Sequence, residues 1–250
     1  MKLDTIHNED CLEGMKRIPD GSVDMVLCDL PYGTTRNSWD SVIALAPLWA
    51  QYQRVVKAAG AIVLTASQPF TSSLVVSGSS MFRYALVWAK STPTGHLNAK
   101  KMPLRRHEDV LVFYRSLPTY NPIKSTGHTR KVSTAEHKRN CRKTSNYGDF
   151  KPTGYDSTER YPTSVLTFKS DRQVSSLHPT QKPVALFEYL VKTYTNPGEV
   201  VLDNCMGSGT TAVACVNTGR HYIGFETDKG YFEAAQKRVA AISGLCEGLL

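Results

Sequence analysis

No two cysteines in this 250-residue chain lie close enough to form a C-x-x-C motif. The six stand at positions 11, 28, 141, 205, 215 and 246, never fewer than ten apart, so the usual signature of a zinc or dithiol centre is missing and no metal is expected. Long apolar runs are missing too. Val110 to Tyr114 is among the longest, against the roughly 18 residues of a membrane helix, so no membrane partner is expected. The first ten residues, MKLDTIHNED, contain no apolar stretch of the kind a secretory signal carries. Scattered thiols in such a chain suit a reducing, cytoplasmic compartment. There is no Gly-Lys-Ser/Thr, which excludes a P-loop, and there are no internal repeats. What remains is ordinary folded-protein composition, 41% hydrophobic and 21% charged. It is enough for one large α/β domain or two small ones.

Charge is present but unevenly placed. The chain carries 30 Lys and Arg against 22 Asp and Glu, a formal charge of +8. Residues 90–175 hold 17 of the basic and 7 of the acidic residues, a net of +10, leaving −2 for everything else. Lys100, Lys101, Arg105 and Arg106 form one cluster; Arg130, Lys131, Lys138, Arg139, Arg142 and Lys143 form another. Tyr120, Tyr147, Tyr155 and Tyr161 lie among or after them. Basic residues interleaved with aromatics and small polar residues suit phosphate neutralisation together with base contact.

Hydrophobic patterning gives alternating strands and helices at both ends of the chain. Val23 to Asp29 reads as a buried strand, Val42 to Ala59 as a helix stopped at Gly60, and Ala61 to Ala66 as a second strand. Phe70 to Val76 suggests a helix, Tyr84 to Ala89 and Val110 to Tyr114 further strands. Periodicity fades from Arg115 to about Ser176, apart from Ser164 to Phe168. It returns with a helix at Val184 to Tyr194, a strand at Val200 to Leu202, and a helix at Thr210 to Asn217. A strand at His221 to Phe225 and a helix from about Tyr231 to Ile242 close the pattern. This predicts a mainly parallel sheet covered on both faces, with ligands at the loops that follow the strands.

Two of those loops carry chemistry. Val200-Val-Leu-Asp203-Asn204-Cys205-Met206-Gly207-Ser208-Gly209-Thr210-Thr211 is a strand, a tight turn and a helix start. Its glycines allow close backbone approach, and the helix N-terminus favours a carboxylate or phosphate. Glu226 follows Gly207 by 19 positions at the end of the next strand, near the roughly 20-residue offset of a ribose-binding acid. The third glycine of the dinucleotide fingerprint is absent, which disfavours NAD. The second loop is Cys28-Asp29-Leu30-Pro31-Tyr32-Gly33. The Asp29 carboxylate and the Leu30 carbonyl offer two acceptors for the hydrogens of an exocyclic amine, Pro31 stiffens the chain, and Tyr32 offers a flat face to a flipped base. A plain strand-to-helix connection and an ordinary Asx/Pro turn are the simpler alternatives.

Together these segments resemble the amino-group DNA methyltransferases of the β group, which modify adenine N6 or cytosine N4. Asp29-Leu30-Pro31-Tyr32 is similar to their D/N/S-P-P-Y/F/W catalytic motif and Asp203 to Thr211 to their D-P-F-x-G-S-G-T-T cofactor motif. Asn8-Glu9-Asp10-Cys11, Trp88-Ala-Lys90, Arg106-His107-Glu108-Asp109-Val110 and His178-Pro-Thr-Gln-Lys182-Pro183 extend the likeness, in the family's permuted order. The resemblance implies a Rossmann-like α/β methyltransferase fold with an inserted basic target-recognition region. Its boundaries are a catalytic half at 1–114, the insertion at 115–176 and a cofactor half at 177–250. It implies S-adenosylmethionine as cofactor, with Asp203, Gly207 and Gly209 facing the methionine part and Thr210, Thr211 and Lys182 near its carboxylate. Glu226 would hold the ribose and Asp10 the adenine amino group, with Cys11 and Cys205 beside the cofactor. Asp29, Leu30, Pro31 and Tyr32 would hold the target base.

The implied partner is double-stranded DNA with a flipped base, contacted through Lys100, Lys101, Arg105, Arg106, Arg130, Lys131, Arg139 and Arg142. A homodimer and a cognate restriction endonuclease stay open as further partners, in a bacterial or phage-infected cytoplasm. Asp at the first catalytic position goes mostly with adenine in this family, so N6-adenine transfer is the expectation. Cytosine-N4 transfer, an RNA or protein amino acceptor, and a DNA-binding protein with a vestigial cofactor pocket are the alternatives. The chain departs from the family pattern at Leu30, which replaces a proline, and at Asn204-Cys205, which replace Pro-Phe. Less loop rigidity and altered affinity are expected from these changes.

Overall fold

A computed structural model describes residues 1–33, 41–140, 151–169 and 181–247. The chain divides into two compact units, Met1–Asn121 with Ser164–Leu250, and Pro122–Thr163. The larger unit opens with β1 (Thr5–His7), α1 (Cys11–Met15), β2 (Val23–Asp29), α2 (Leu45–Val55), β3 (Val56–Ala66) and α3 (Phe70–Ser77). A long hairpin follows, β4 (Phe82–Thr94) and β5 (Arg105–Phe113), with a 3₁₀ turn at His96–Asn98 near its tip. The smaller unit contains β6 (Lys131–Ser133), α4 (Ala135–Asn140) and β7 (Tyr155–Ser157), with β6 and β7 paired antiparallel. The larger unit resumes with β8 (Val165–Phe168), α5 (Val184–Tyr194), β9 (Val200–Asp203), α6 (Thr210–Thr218), β10 (His221–Phe225) and α7 (Lys229–Glu247).

Eight strands of the larger unit form one sheet in the order β1-β10-β9-β2-β3-β5-β4-β8. Five of its seven pairings are parallel; β5 runs antiparallel to both neighbours. Alternation along the strands divides the core between the two faces. Met25, Leu27, Ala61, Val63, Val110 and Val112 point to the layer that holds α5, α6 and α7. Val26, Cys28, Ile62, Leu64, Leu111 and Phe113 point to the layer of α1, α2 and α3. Because both faces are covered, β2 is almost continuously apolar rather than alternating.

This mostly parallel, Rossmann-like sheet places the two unusual loops side by side. β2 hands on to β3 through α2 on one face, and β9 hands on to β10 through α6 on the other. β2 and β9 are neighbours, so the chain reverses its direction of travel between them and opens a crevice at their carboxyl ends.

Three readings from sequence are corrected. The helix expected to run to Ala59 ends at Val55, and the chain passes directly into β3. Gly60 therefore lies inside a strand rather than capping a helix. A Cβ there would stand 2.5 Å from Val56 Cγ1 and 2.8 Å from the Asp24 carbonyl, so the residue serves close backbone approach. Pairing of Val56 with Val23 decides the boundary, an interaction invisible to local periodicity. The hairpin strands also extend well past Tyr84–Ala89 and Val110–Tyr114, because polar ends that look like loop are paired across the ladder.

Burial predicts stability directly. Leu27 is fully buried, and Leu27→Ala is expected to cost about 2–5 kcal/mol of unfolding free energy, measured as a urea midpoint shift at constant slope. Val76→Ala, at a side chain 75% exposed, is expected to stay within about 0.5 kcal/mol of the parent.

Candidate active site

The crevice holds a cavity of about 1230 Å³, walled by the ends of β2, β9 and β10, by Asp10 and the start of α1, by Gln181 and Lys182, and by the hairpin residues Trp88, Lys90, Arg105 and Glu108. Asp203, at the end of β9, organises one wall. Its Oδ1 accepts the Cys205 N–H at 3.0 Å and its Oδ2 accepts the Thr211 hydroxyl at 2.5 Å, closing the turn onto the first residues of α6. Burial pushes the Asp203 carboxyl up to about 6 in spite of those hydrogen bonds. Gly207 sits at φ +53°, and its N–H donates to Glu226 Oε2 at 2.8 Å. Glu226 Oε1 accepts the Asp228 N–H at 2.8 Å, while Asn8 donates to the Glu226 and Thr227 carbonyls. Burial raises the Glu226 carboxyl above its ordinary value, with the N–H donors opposing it. Arg238 of α7 completes the wall by donating to the Ser208 carbonyl at 3.1 Å and to Thr210 Oγ1 at 3.2 Å.

The other wall is the Asp29 loop. Asp29 Oδ1 accepts hydroxyl protons from Tyr32 at 2.7 Å and from Thr65 at 2.5 Å, the residue paired with it in β3. Asp29 Oδ2 accepts from the Lys182 ammonium at 2.6 Å. Lys182, 6% exposed, also stands 3.2 Å from Glu108 Oε2, and Glu108 Oε1 receives the Lys90 ammonium. Burial works against the Lys182 charge, but Asp29 and Glu108 hold its ammonium above the ordinary lysine range. Burial likewise opposes the Glu108 charge, yet Lys182 and Lys90 hold that carboxyl below its ordinary value. The Tyr32 ring stacks on Phe70 at 5.4 Å, with the Lys182 ammonium 5.6 Å from its centroid. Burial and the neighbouring Asp29 raise the Tyr32 phenol well above its ordinary value, so it stays a donor.

Both departures from the expected motifs are absorbed by packing. The Leu30 side chain is 3% exposed in the core beneath α1–α3, so burial anchors the loop where a second proline is missing. Asn204 Oδ1 accepts the Tyr52 hydroxyl of α2 at 2.5 Å, and its amide reaches Cys205 Sγ at 3.4 Å and Cys11 Sγ at 3.7 Å. The Cys11 thiol is pushed up by its hydrogen bond with Cys205 and by burial, and burial raises Cys28. These thiols are held protonated and act as packing groups.

A family model described as DNA methylase matches residues 23–237, most of the chain. The chain belongs to the N6/N4 DNA methylases. It is 27% identical over 254 residues to DNA adenine methyltransferase YhdJ of Escherichia coli (strain K12), covering 96% of this chain and 83% of that protein. It superposes on the crystal structure of the M1.HpyAVI–SAM complex with a TM-score of 0.64 at 26% identity, covering 94% and 98% of the two chains. The cytosine-N4-specific PvuII DNA methyltransferase shares the fold, with a TM-score of 0.66 at 14% identity and coverage of 94% and 85%.

In this DNA methylase the cavity gathers Asp10, Cys11, Asp29, Leu30, Pro31, Tyr32, Lys182, Asp203, Cys205, Gly207, Thr210, Thr211 and Glu226. Gly209 is not among the lining residues. It sits at φ +83° where a Cβ would meet Ala235 Cβ at 3.1 Å, so its lack of a side chain lets α7 pack. Asp10 caps α1, its Oδ1 accepting from the Leu12 and Glu13 N–H groups. Lys182 makes its contacts with Asp29 and Glu108, which places it against the Asp29 loop rather than at the Asp203–Thr211 turn. Lys100, Lys101, Arg105 and Arg106 are exposed on the hairpin, with Arg105 reaching the cavity rim. Lys131 and Arg139 are exposed in the smaller unit, whereas Arg130 is paired with Asp156 through two hydrogen bonds. Arg142 and His178–Thr180 lie outside the described residues.

Sequence reasoning gave no role to Glu108, Lys90, Thr65, Asn8 or Arg238. Asn8, Lys90 and Glu108 lie in segments that extend the family likeness, but the pairing of Lys90 with Glu108 has meaning only once their strands are joined.

Asp203 provides a pH test. Its carboxyl is raised from an ordinary 3.8 to about 6 in the folded chain. Its stabilising contribution is therefore full below about pH 3.8 and is lost as pH rises through about 6. Asp203→Asn is expected to remove that decline. Urea midpoints of parent and variant would converge toward higher pH, and parallel curves would refute the expectation.

Proposed function

We propose that this methylase transfers a methyl group from S-adenosylmethionine to N6 of a flipped adenine in double-stranded DNA. One observation carries the reading: the Asp29–Tyr32 loop and the Asp203–Thr211 turn wall a single cavity. Its volume exceeds the roughly 300–1,000 Å³ of a usual small-ligand pocket, leaving room for a cofactor and a base together. The cofactor supplies an activated methyl group on a positively charged sulfur. Glu226 spends one lone pair of each oxygen on backbone N–H groups and keeps the others for ribose hydroxyls. Asp10 spends Oδ1 on its two capping bonds and keeps Oδ2 for an adenine amino group.

On the base side, an Asp29 carboxylate has about four lone-pair sites. Tyr32, Thr65 and Lys182 occupy three, and the fourth suits one hydrogen of an exocyclic amine. The Leu30 carbonyl takes the other hydrogen. Drawing on both hydrogens localises the nitrogen lone pair, and Asp29 receives the proton that the amine sheds. Adenine is preferred over cytosine on the strength of the curated relative and of Asp at the first motif position. The unit Pro122–Thr163, within the basic insertion, is assigned to target recognition.

Labelled methyl groups are expected in DNA, recovered as N6-methyladenine after nucleoside digestion; N4-methylcytosine would transfer the assignment to cytosine. Asp29→Ala is expected to lower kcat by about 10²–10⁴-fold while cofactor binding persists. Undiminished transfer in that variant would remove Asp29 from its role. Replacing Lys100 and Lys101 with glutamine is expected to flatten the salt dependence of DNA binding by up to about 0.9 log units per lost phosphate contact. Arg130→Gln should change it less, because Asp156 already balances that charge.

A further inference from the structure

Glu108 is a carboxylate of this cavity that lies outside both motifs and to which no role is yet given. It projects from β5 opposite Trp88, close to the Asp29 loop. Its Oε1 is committed to Lys90. Its Oε2 is buried and accepts no hydrogen bond among the described residues, although the Lys182 ammonium stands 3.2 Å away. The ammonium instead donates to Asp29 Oδ2 at 2.6 Å. The contact with Glu108 has ion-pair distance without hydrogen-bond alignment. A buried carboxylate oxygen in that condition is costly, and it is an acceptor ready for a donor that has only to turn toward it.

We infer that Glu108 is a positioning residue that takes the Lys182 ammonium from Asp29 when a target base enters. The inference rests on the methyl-transfer reading above. With Tyr32 and Thr65 on Oδ1, and Lys182 on Oδ2, the Asp29 carboxylate is nearly saturated. An incoming amine needs a well-directed lone pair there, and the lysine is the donor that has another acceptor within reach. Turning the ammonium toward Glu108 Oε2 releases Oδ2 without moving a charge through the site. Lys182 and Lys90 still balance Asp29 and Glu108, and no buried charge is left unpaired. Without Glu108, the ammonium would be held by Asp29 alone and would compete with the base.

Glu108→Gln is therefore expected to lower kcat about tenfold or more, equivalent to about 1.4 kcal/mol of barrier per tenfold. The KM and Kd for S-adenosylmethionine should stay at parental values. Glu108→Asp retains the charge but withdraws it by one methylene, so it should slow turnover as well and keeps the test available if the glutamine variant fails to fold. General damage to the cavity would raise the cofactor KM; loss of a positioning group lowers kcat alone. Parental kcat in the folded variants, or a loss that follows cofactor affinity, would overturn the inference. Parental enzyme without transfer to any DNA would overturn the functional reading itself, a separate result in the same assay.

Discussion

The buried ammonium of Lys182 joins three parts of the chain that sequence keeps far apart. Asp29 comes from the end of β2, Glu108 from the hairpin strand β5, and Lys182 from the segment leading into α5. Two carboxylates gathered around one point would repel each other. The ammonium between them reverses that balance, as the lowered Glu108 and raised Lys182 proton affinities record. Breaking such a buried set from one side costs far more than an exposed pair would. The arrangement of this side of the cavity thus depends on one side chain.

The remaining wall works by a related rule, with backbone N–H groups as the positive partners. Asp203 is buried and Glu226 partly buried at the cavity, and each is held by donors from its own turn or the adjoining one. They keep raised proton affinities because peptide dipoles compensate burial less completely than an ammonium does. Two electrostatic regimes therefore share one cavity. The lysine-supported side suits attraction of amine hydrogens, while the N–H-supported side suits hydrogen bonding to neutral hydroxyls and amines. The sheet puts them together at the point where its connections reverse direction.

The unusual residues at the two motifs show how a family geometry can be kept with other chemistry. A proline restrains a loop through its own ring, whereas Leu30 restrains it through burial in the neighbouring core. Asn204 brings polar atoms into a buried turn, and Tyr52 and the Cys11 and Cys205 sulfurs satisfy them. The effect is to tie the Asp203–Thr211 turn to α2 and α1, elements that belong to the half carrying Asp29.

Much of the site was legible in the sequence because motif residues adjacent in the chain need only a strand, a turn and a helix to present them. Asp29–Tyr32 and Asp203–Thr211 could be read that way, and α5 and β10 have the bounds that their apolar periodicity indicates. The basic hairpin and insertion were legible as charge, though the pairing of Arg130 with Asp156 was not. Local periodicity failed at Val56–Gly60, where pairing with β2 outweighed helical spacing. The glycine turn did not reveal that the missing side chain of Gly209 also leaves room for α7, a contact between segments distant in sequence. The sequence by itself determined the two loops, their order and the alternating elements that carry them, since these follow from residues near one another in the chain. Only the tertiary structure decided that Glu108, Lys90 and Thr65 stand around Asp29 and Lys182, because electrostatic partners are selected by distance in space across strands that no local pattern relates.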